Sequence, residues 1–205
     1  MPSKFRLRKI FHPFITILAK GLNKIGISPN IATCIMLLFS ILSLLSILCV
    51  SNLFFFSLFI FLVGIFDGID GAIARLANKV TLFGGLFDSL MDRLSEFLIF
   101  LGLLIYCWDF LLWNFIDMKI IIFISFFSSI MISYSRARAE VFFKGDFDIG
   151  LMARSERLFY LFVTMLIAYF YGFVNEFLFI FMILVISTTY FRYLKIKKII
   201  IDFES

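Results

Sequence analysis

Apolar residues run along this chain in stretches too long and too unbroken to be the half-buried faces of soluble elements. Stretches at roughly 31–50, 53–76, 84–107, 120–142, 155–172 and 174–194 each approach the ~20 residues a helix needs to cross a hydrocarbon layer. They predict six transmembrane helices joined by short connections. Ahead of them, residues 4–25 (KFRLRKIFHPFITILAKGLNKI) mix basic and bulky apolar positions around Pro13 and end at Gly26, the pattern of an amphipathic helix lying on a membrane surface. ISPNIAT, at 27–33, then reads as a helix start, with Ser28 or Asn30 as the cap and Pro29 in the first turn. The expected protein is an all-α integral membrane protein, with an interfacial helix in residues 1–26 and one six-helix membrane domain over 27–205.

Composition agrees, since 62% of the 205 residues are hydrophobic and 20% aromatic, more than a soluble core of this size requires. The basic start leads into the amphipathic stretch and a full-length span without a small-residue cleavage site, so the N-terminal segment is expected to stay in the mature protein. Charge then sets orientation. Lys4, Arg6, Arg8, Lys9, Lys20, Lys24, Arg75, Lys79, Arg136, Arg138, Lys144, Arg154, Arg157, Arg192, Lys195, Lys197 and Lys198 all fall on one side of a six-span arrangement, and the opposite loops hold only Lys119. The positive-inside rule makes that side, and both termini, cytoplasmic. The net charge of +5 sits in short loops beside apolar spans, which suits anionic headgroups and phosphate substrates and excludes nucleic acid as the partner. Cys34, Cys49 and Cys107 lack paired spacing, and His12 has no acidic or thiol neighbour; none is expected in a site.

One stretch breaks the apolar pattern. DGIDGAIARLANKVTLFGGLFDSLMDR, residues 67–93, keeps four aspartates where burying a charge is costly. At about 100° per residue, Asp67, Asp70, Gly71, Ala74 and Arg75 share an arc of about 140° on one helix. Gly84, Asp88 and Asp92, spaced i, i+4 and i+8, form a stripe on the next. Two such stripes facing each other would gather four carboxylates, which stay ionised together only if cations compensate them. A donor set of oxygens, without His or Cys, selects Mg²⁺ or Mn²⁺, and two ions would balance four charges and grip phosphate oxygens. Gly71, Ala74 and Gly84 leave room for those phosphates. Pairing with Arg75 or Arg93 accounts for one or two of these acids as packing, not for four on matching faces.

A second polar stretch, YSRARAEVFFKGDFDIGLMARSER at 134–157, clusters Arg136, Arg138, Arg154 and Arg157 around one connection. Guanidinium forks match phosphate oxygens bidentately, so this segment is expected to hold an acceptor that carries a phosphate, with Glu140 orienting Arg136 one turn earlier.

The spacing Asp67-x2-Asp70-Gly71-x2-Ala74-Arg75-x8-Gly84-x3-Asp88-x3-Asp92 resembles, at every defined position, the signature of the CDP-alcohol phosphotransferase family. That resemblance implies a six-helix membrane enzyme, usually a homodimer, that moves a phosphatidyl-type group from a CDP-linked lipid to an alcohol and releases CMP. It implies Asp67, Asp70 and Asp88 as metal ligands, Asp92 as a further ligand and general base, and Gly71, Ala74 and Arg75 beside the nucleotide, with Asn30 and Thr33 as further contacts. SRARAE followed by G-x-x-x-R-x-E-R is similar to the branch that accepts L-myo-inositol 1-phosphate, the archaetidylinositol phosphate and phosphatidylinositol phosphate synthases. The resemblance favours CDP-archaeol over CDP-diacylglycerol as donor. Glycerol 3-phosphate is the other acceptor suited to such arginines. A cation transporter would also use intramembrane carboxylates, but stretches such as FLIFLGLLIYCW and IIIFISFF leave almost no polar path across.

Overall fold

The computed structural model describes residues 7–142, 147 and 149–204. Lys4, Arg6 and Lys144, and the side chains of Arg8 and Lys9, lie outside the described residues. Among the described residues there are seven helices: α1 (Leu7–Lys24), α2 (Pro29–Val50), α3 (Leu53–Leu76), α4 (Leu82–Tyr106), α5 (Met118–Phe142), α6 (Arg154–Tyr171) and α7 (Val174–Glu204). Between α4 and α5 lies a small antiparallel ribbon, β1 (Leu111–Leu112) with β2 (Ile116–Asp117), which an all-helical reading does not contain. α1 runs through Pro13.

The helix boundaries have local causes. Ser28 accepts from Ile31 N–H at 3.4 Å at the start of α2, with Pro29 at its first position. Asn52 Oδ1 accepts from Phe54 and Phe55 N–H at 2.9 and 3.2 Å and opens α3. Thr81 Oγ1 accepts from Gly84 N–H at 3.0 Å and opens α4. Each satisfies backbone donors that a helix start leaves over.

Among the described residues, four helices are long and apolar enough to cross a membrane: α2, α3, α5 and α7. The chain is thus a multi-pass membrane protein. α4 and α6 occupy the other two predicted stretches, but their sequences are interrupted by Asp88, Asp92, Arg93 and Glu96 in one and by Arg154, Glu156 and Arg157 in the other.

The chain divides into two compact units. In the first, Leu7–Tyr106 with Leu158–Gly172, α2 packs against both α3 and α4, and α1 packs on α3. Small residues allow these approaches. Ser40, Ser43 and Ser46 on α2 are buried, and each donates to a carbonyl three residues back at 2.6–2.7 Å, so the hydroxyls need no partner from another helix. A Cβ at Gly68 would meet Ile15 Cδ1 at 2.7 Å, and one at Gly102 would meet Phe56 Cε2 at 3.0 Å. Ala19, Ala32, Ile69, Ala72 and Ile73 form the apolar core where α1, α2 and α3 meet.

The second unit takes in Cys107–Arg157 and α7, with α5 packed along α7. Thr189 Oγ1 donates to the Ser128 carbonyl at 3.2 Å between them.

Candidate functional site

The acids come from two helices: Asp67 and Asp70 from the last three turns of α3, Asp88 and Asp92 from the first three turns of α4. Side-chain oxygens of Asp67, Asp88 and Asp92 lie within 4.8 Å of one another, all three residues being partly buried. Three carboxylates this close repel one another unless a cation sits among them, and an all-oxygen set at this spacing fits a divalent ion such as Mg²⁺ or Mn²⁺. The Oδ1 atoms of Asp88 and Asp92 are buried at this point. Arg93 approaches Asp92 Oδ2 only to 4.0 Å.

Asp70 lies beside this group rather than within it. It is only 4% exposed; Thr33 Oγ1 donates to its Oδ2 at 2.9 Å and Gly71 N–H to its Oδ1 at 2.6 Å. Asp88 is its strongest negative neighbour. Thr33, expected at the nucleotide, therefore holds an aspartate in place from the first turns of α2.

The small residues have the functions of spacers, though not all toward a ligand. A Cβ at Gly71 would come within 3.3 Å of an Arg75 guanidinium nitrogen, which puts the two on one face as their i, i+4 spacing requires. A Cβ at Gly84 would meet Thr81 Oγ1 at 2.9 Å and Asn30 Oδ1 at 3.7 Å. Gly84 thus admits the cap of α4 and the approach of Asn30. Ala74 is half-buried and Arg75 exposed.

Glu96 is an acid that the spacing argument passed over. It continues the i+4 series of Gly84, Asp88 and Asp92 by one more step, is buried, and acts on Asp92 as a further negative neighbour, with Arg93 as the positive one. The series itself was the available signal.

The arginines divide into two kinds. Arg136 Nε donates to Glu140 Oε1 at 2.7 Å, the one-turn pairing expected from sequence, and Arg138, exposed, stands 4.5 Å over the Phe142 ring. Arg154, partly buried, begins α6. Arg157 is 1% exposed and donates to the Met152 carbonyl at 3.1 Å and to Ser133 Oγ at 3.5 Å. Arg192, which sequence treats as one of the basic residues ending the chain, is also 1% exposed; it donates to the Ile149 carbonyl at 2.8 Å and the Ile132 carbonyl at 2.6 Å. Only its position inside the last apolar stretch signalled burial. Next to Ile149, Gly150 has φ of 110°, and a Cβ there would meet Thr188 Cγ2 of α7 at 2.6 Å. The glycine of G-x-x-x-R-x-E-R is a backbone requirement.

Residues 26–191 match the sequence pattern of the CDP-alcohol phosphatidyltransferases. The archaetidylinositol phosphate synthase of Pyrococcus horikoshii is 35% identical over 170 residues, 81% of this chain and 82% of that protein. The phosphatidylinositol phosphate synthase of Mycobacterium tuberculosis is 32% identical over 157 residues, covering 75% and 70%. The crystal structure of the M. tuberculosis enzyme with CDP-DAG bound superposes with a TM-score of 0.74 at 26% identity, over 89% of this chain and 92% of that one. Its complex with manganese and citrate gives 0.74 over 89% and 88%. With the eight signature positions in place and three of their carboxylates drawn to one point, the chain belongs to the CDP-alcohol phosphatidyltransferase family, a class of divalent-metal-dependent membrane enzymes.

Proposed function

We propose that this enzyme transfers the archaetidyl or phosphatidyl group of a CDP-linked lipid, CDP-archaeol in preference to CDP-diacylglycerol, to L-myo-inositol 1-phosphate. The carboxylate group of Asp67, Asp88 and Asp92 carries the phosphoryl-transfer reading, and the relatives named for inositol phosphate products favour the acceptor. An acceptor hydroxyl oxygen forms a bond to the lipid-bearing phosphorus, the bond from that phosphorus to the bridging diphosphate oxygen breaks, and CMP leaves with that oxygen. Two divalent ions, Mg²⁺ or Mn²⁺, held by Asp67, Asp70, Asp88 and Asp92, would supply charge to the diphosphate and the departing CMP. Asp92 takes the proton of the attacking hydroxyl. Thr33 fixes the Asp70 carboxylate, and Asn30, Gly71, Ala74 and Arg75 line the nucleotide.

Arg136, Arg138, Arg154 and Arg157 bind the acceptor phosphate, the planar guanidinium forks matching its oxygens. In the membrane, α2 to α7 form six spans. α1 lies on the cytoplasmic surface with Ile10, Phe14 and Ile17, exposed at i, i+4, i+7 spacing, toward lipid. Both termini and the acidic site face the cytoplasm by the distribution of basic residues, and the enzyme works as a homodimer.

The deciding measurement is CMP release by the purified protein in Mg²⁺ with a CDP-linked lipid, comparing inositol 1-phosphate, glycerol 3-phosphate, inositol and serine. Stimulation by inositol 1-phosphate alone is the expected result, abolished by chelator and restored by added Mg²⁺ or Mn²⁺. Stimulation by glycerol 3-phosphate instead would retain the acidic site and overturn the acceptor assignment.

A further inference from the structure

Trp108 and Trp113 are the only tryptophans of the chain, and both lie in the connection that carries the β1–β2 ribbon. Its turn is closed by Phe115 N–H donating to the Leu112 carbonyl at 3.2 Å. The two central residues, Trp113 and Asn114, have φ of 51° and 61°, the positive pair of a type I′ turn. Asparagine suits that backbone. Tryptophan does not, because in the left-handed region its Cβ crowds the following carbonyl oxygen. The strained conformation brings no burial either: Trp113 is 64% exposed, Phe115 78% and Trp108 53%. An indole held at a turn tip at conformational cost and directed outward is a poor arrangement in water.

The ribbon is fastened from behind. The Trp113 ring meets Phe179 of α7 edge-on at 5.4 Å between centroids, and Asn175 Nδ2 donates to the Leu111 carbonyl at 3.2 Å. Lys119 Nζ stands 4.7 Å over the Trp108 ring and 3.5 Å from Asp117 Oδ2. Immediately after the ribbon, Met118 begins α5, one of the helices apolar enough to cross a membrane. The ribbon is therefore continuous with the point where a crossing helix meets the membrane boundary, the depth at which an apolar ring with one N–H donor and a snorkelling lysine are both favoured.

We infer that the segment Trp108–Lys119 is a membrane-interface anchor, seating Trp108, Trp113 and Phe115 in the lipid headgroup zone at the end of α5 opposite Arg136 and Arg138. Lipid is favoured over a protein partner because Asp109, Asp117 and Lys119 stand among the aromatics, whereas the core of a protein interface is depleted of charge.

Since both tryptophans lie in this segment, the fluorescence of the unlabelled full-length protein reports on it alone. In phosphatidylcholine vesicles, bromine carried on the acyl chains near the headgroup should quench strongly, bromine at the chain ends weakly, and aqueous iodide weakly. Free quenching by iodide with none by lipid bromine would place the ribbon in water and overturn the inference. Protection from both quenchers would mean that a protein, such as a second copy of the chain, covers it, and would overturn it equally. Trp113→Asn adds a second readout. Relief of the turn should raise the melting temperature in detergent by about 2–4 °C, and the gain should vanish or reverse in bilayers; an equal gain in both media would argue against an anchor.

Discussion

Asp67, Asp88 and Asp92 converge from two helices whose residue spacing aims them, whereas Arg136 and Arg138 lie near the end of α5 and Arg154 and Arg157 at the start of α6, two pairs that no single period relates. In the first region the side chains arrive where a wheel of about 100° per residue sends them. In the second the backbone itself needs holding, and Arg157 and Arg192 spend donors on the carbonyls of Met152, Ile149 and Ile132. A helical period therefore says where the carboxylates gather, whereas it says nothing of which carbonyls the buried guanidinium groups hold.

That contrast can be broken at several points. Asp88→Asn should lower CMP release by about 10³-fold or more. It should nevertheless leave the metal-free protein as stable as before or more so, because a repelling carboxylate is gone; a lowered melting temperature without metal would mean that Asp88 is structural. Arg157→Ala should do the opposite first, costing on the order of 3 kcal/mol through the buried acceptors it abandons, read as a loss of thermal stability in detergent. Thr33→Val should keep the fold and weaken metal-dependent turnover by about 10–100-fold, the usual effect of removing a hydrogen bond behind a ligand, with an increase in the Mg²⁺ concentration for half-maximal activity. If that concentration is unchanged, Thr33 acts only in packing. Smallest is Arg138→Ala, an exposed site. Stability should move by less than about 0.5 kcal/mol while the KM for the phosphorylated acceptor rises about 10-fold and the KM for the CDP-lipid stays put.

The helices were legible because hydrophobic length and caps agree: the stretch expected at 53–76 is α3, Leu53–Leu76, opened by Asn52 and carried by unbroken apolar sequence. α7 extends to Glu204, past the apolar stretch expected to end at 194, because Lys195, Lys197 and Lys198 are good helix formers that hydropathy alone discounts. The aspartate stripe was legible for the same reason as the helices. What escaped was contact across distance. Nothing local says that Thr33 turns its hydroxyl to Asp70, 37 residues away, that Gly84 makes room for Thr81 and Asn30, or that Arg192 is enclosed. The ribbon at 111–117 was missed because its turn carries Trp113 where Gly or Asn would have announced it.

Gly150 links the bend to evolution. With φ at 110° and Thr188 Cγ2 where a Cβ would stand, positions 150 and 188 form a pair that cannot drift separately. A lineage that places any side chain at 150 must both shrink residue 188 and rebuild the backbone path of the segment leading to Arg154. Glycine at position 150 should therefore persist wherever residue 188 keeps a side chain as large as threonine, so that the two positions change together or not at all.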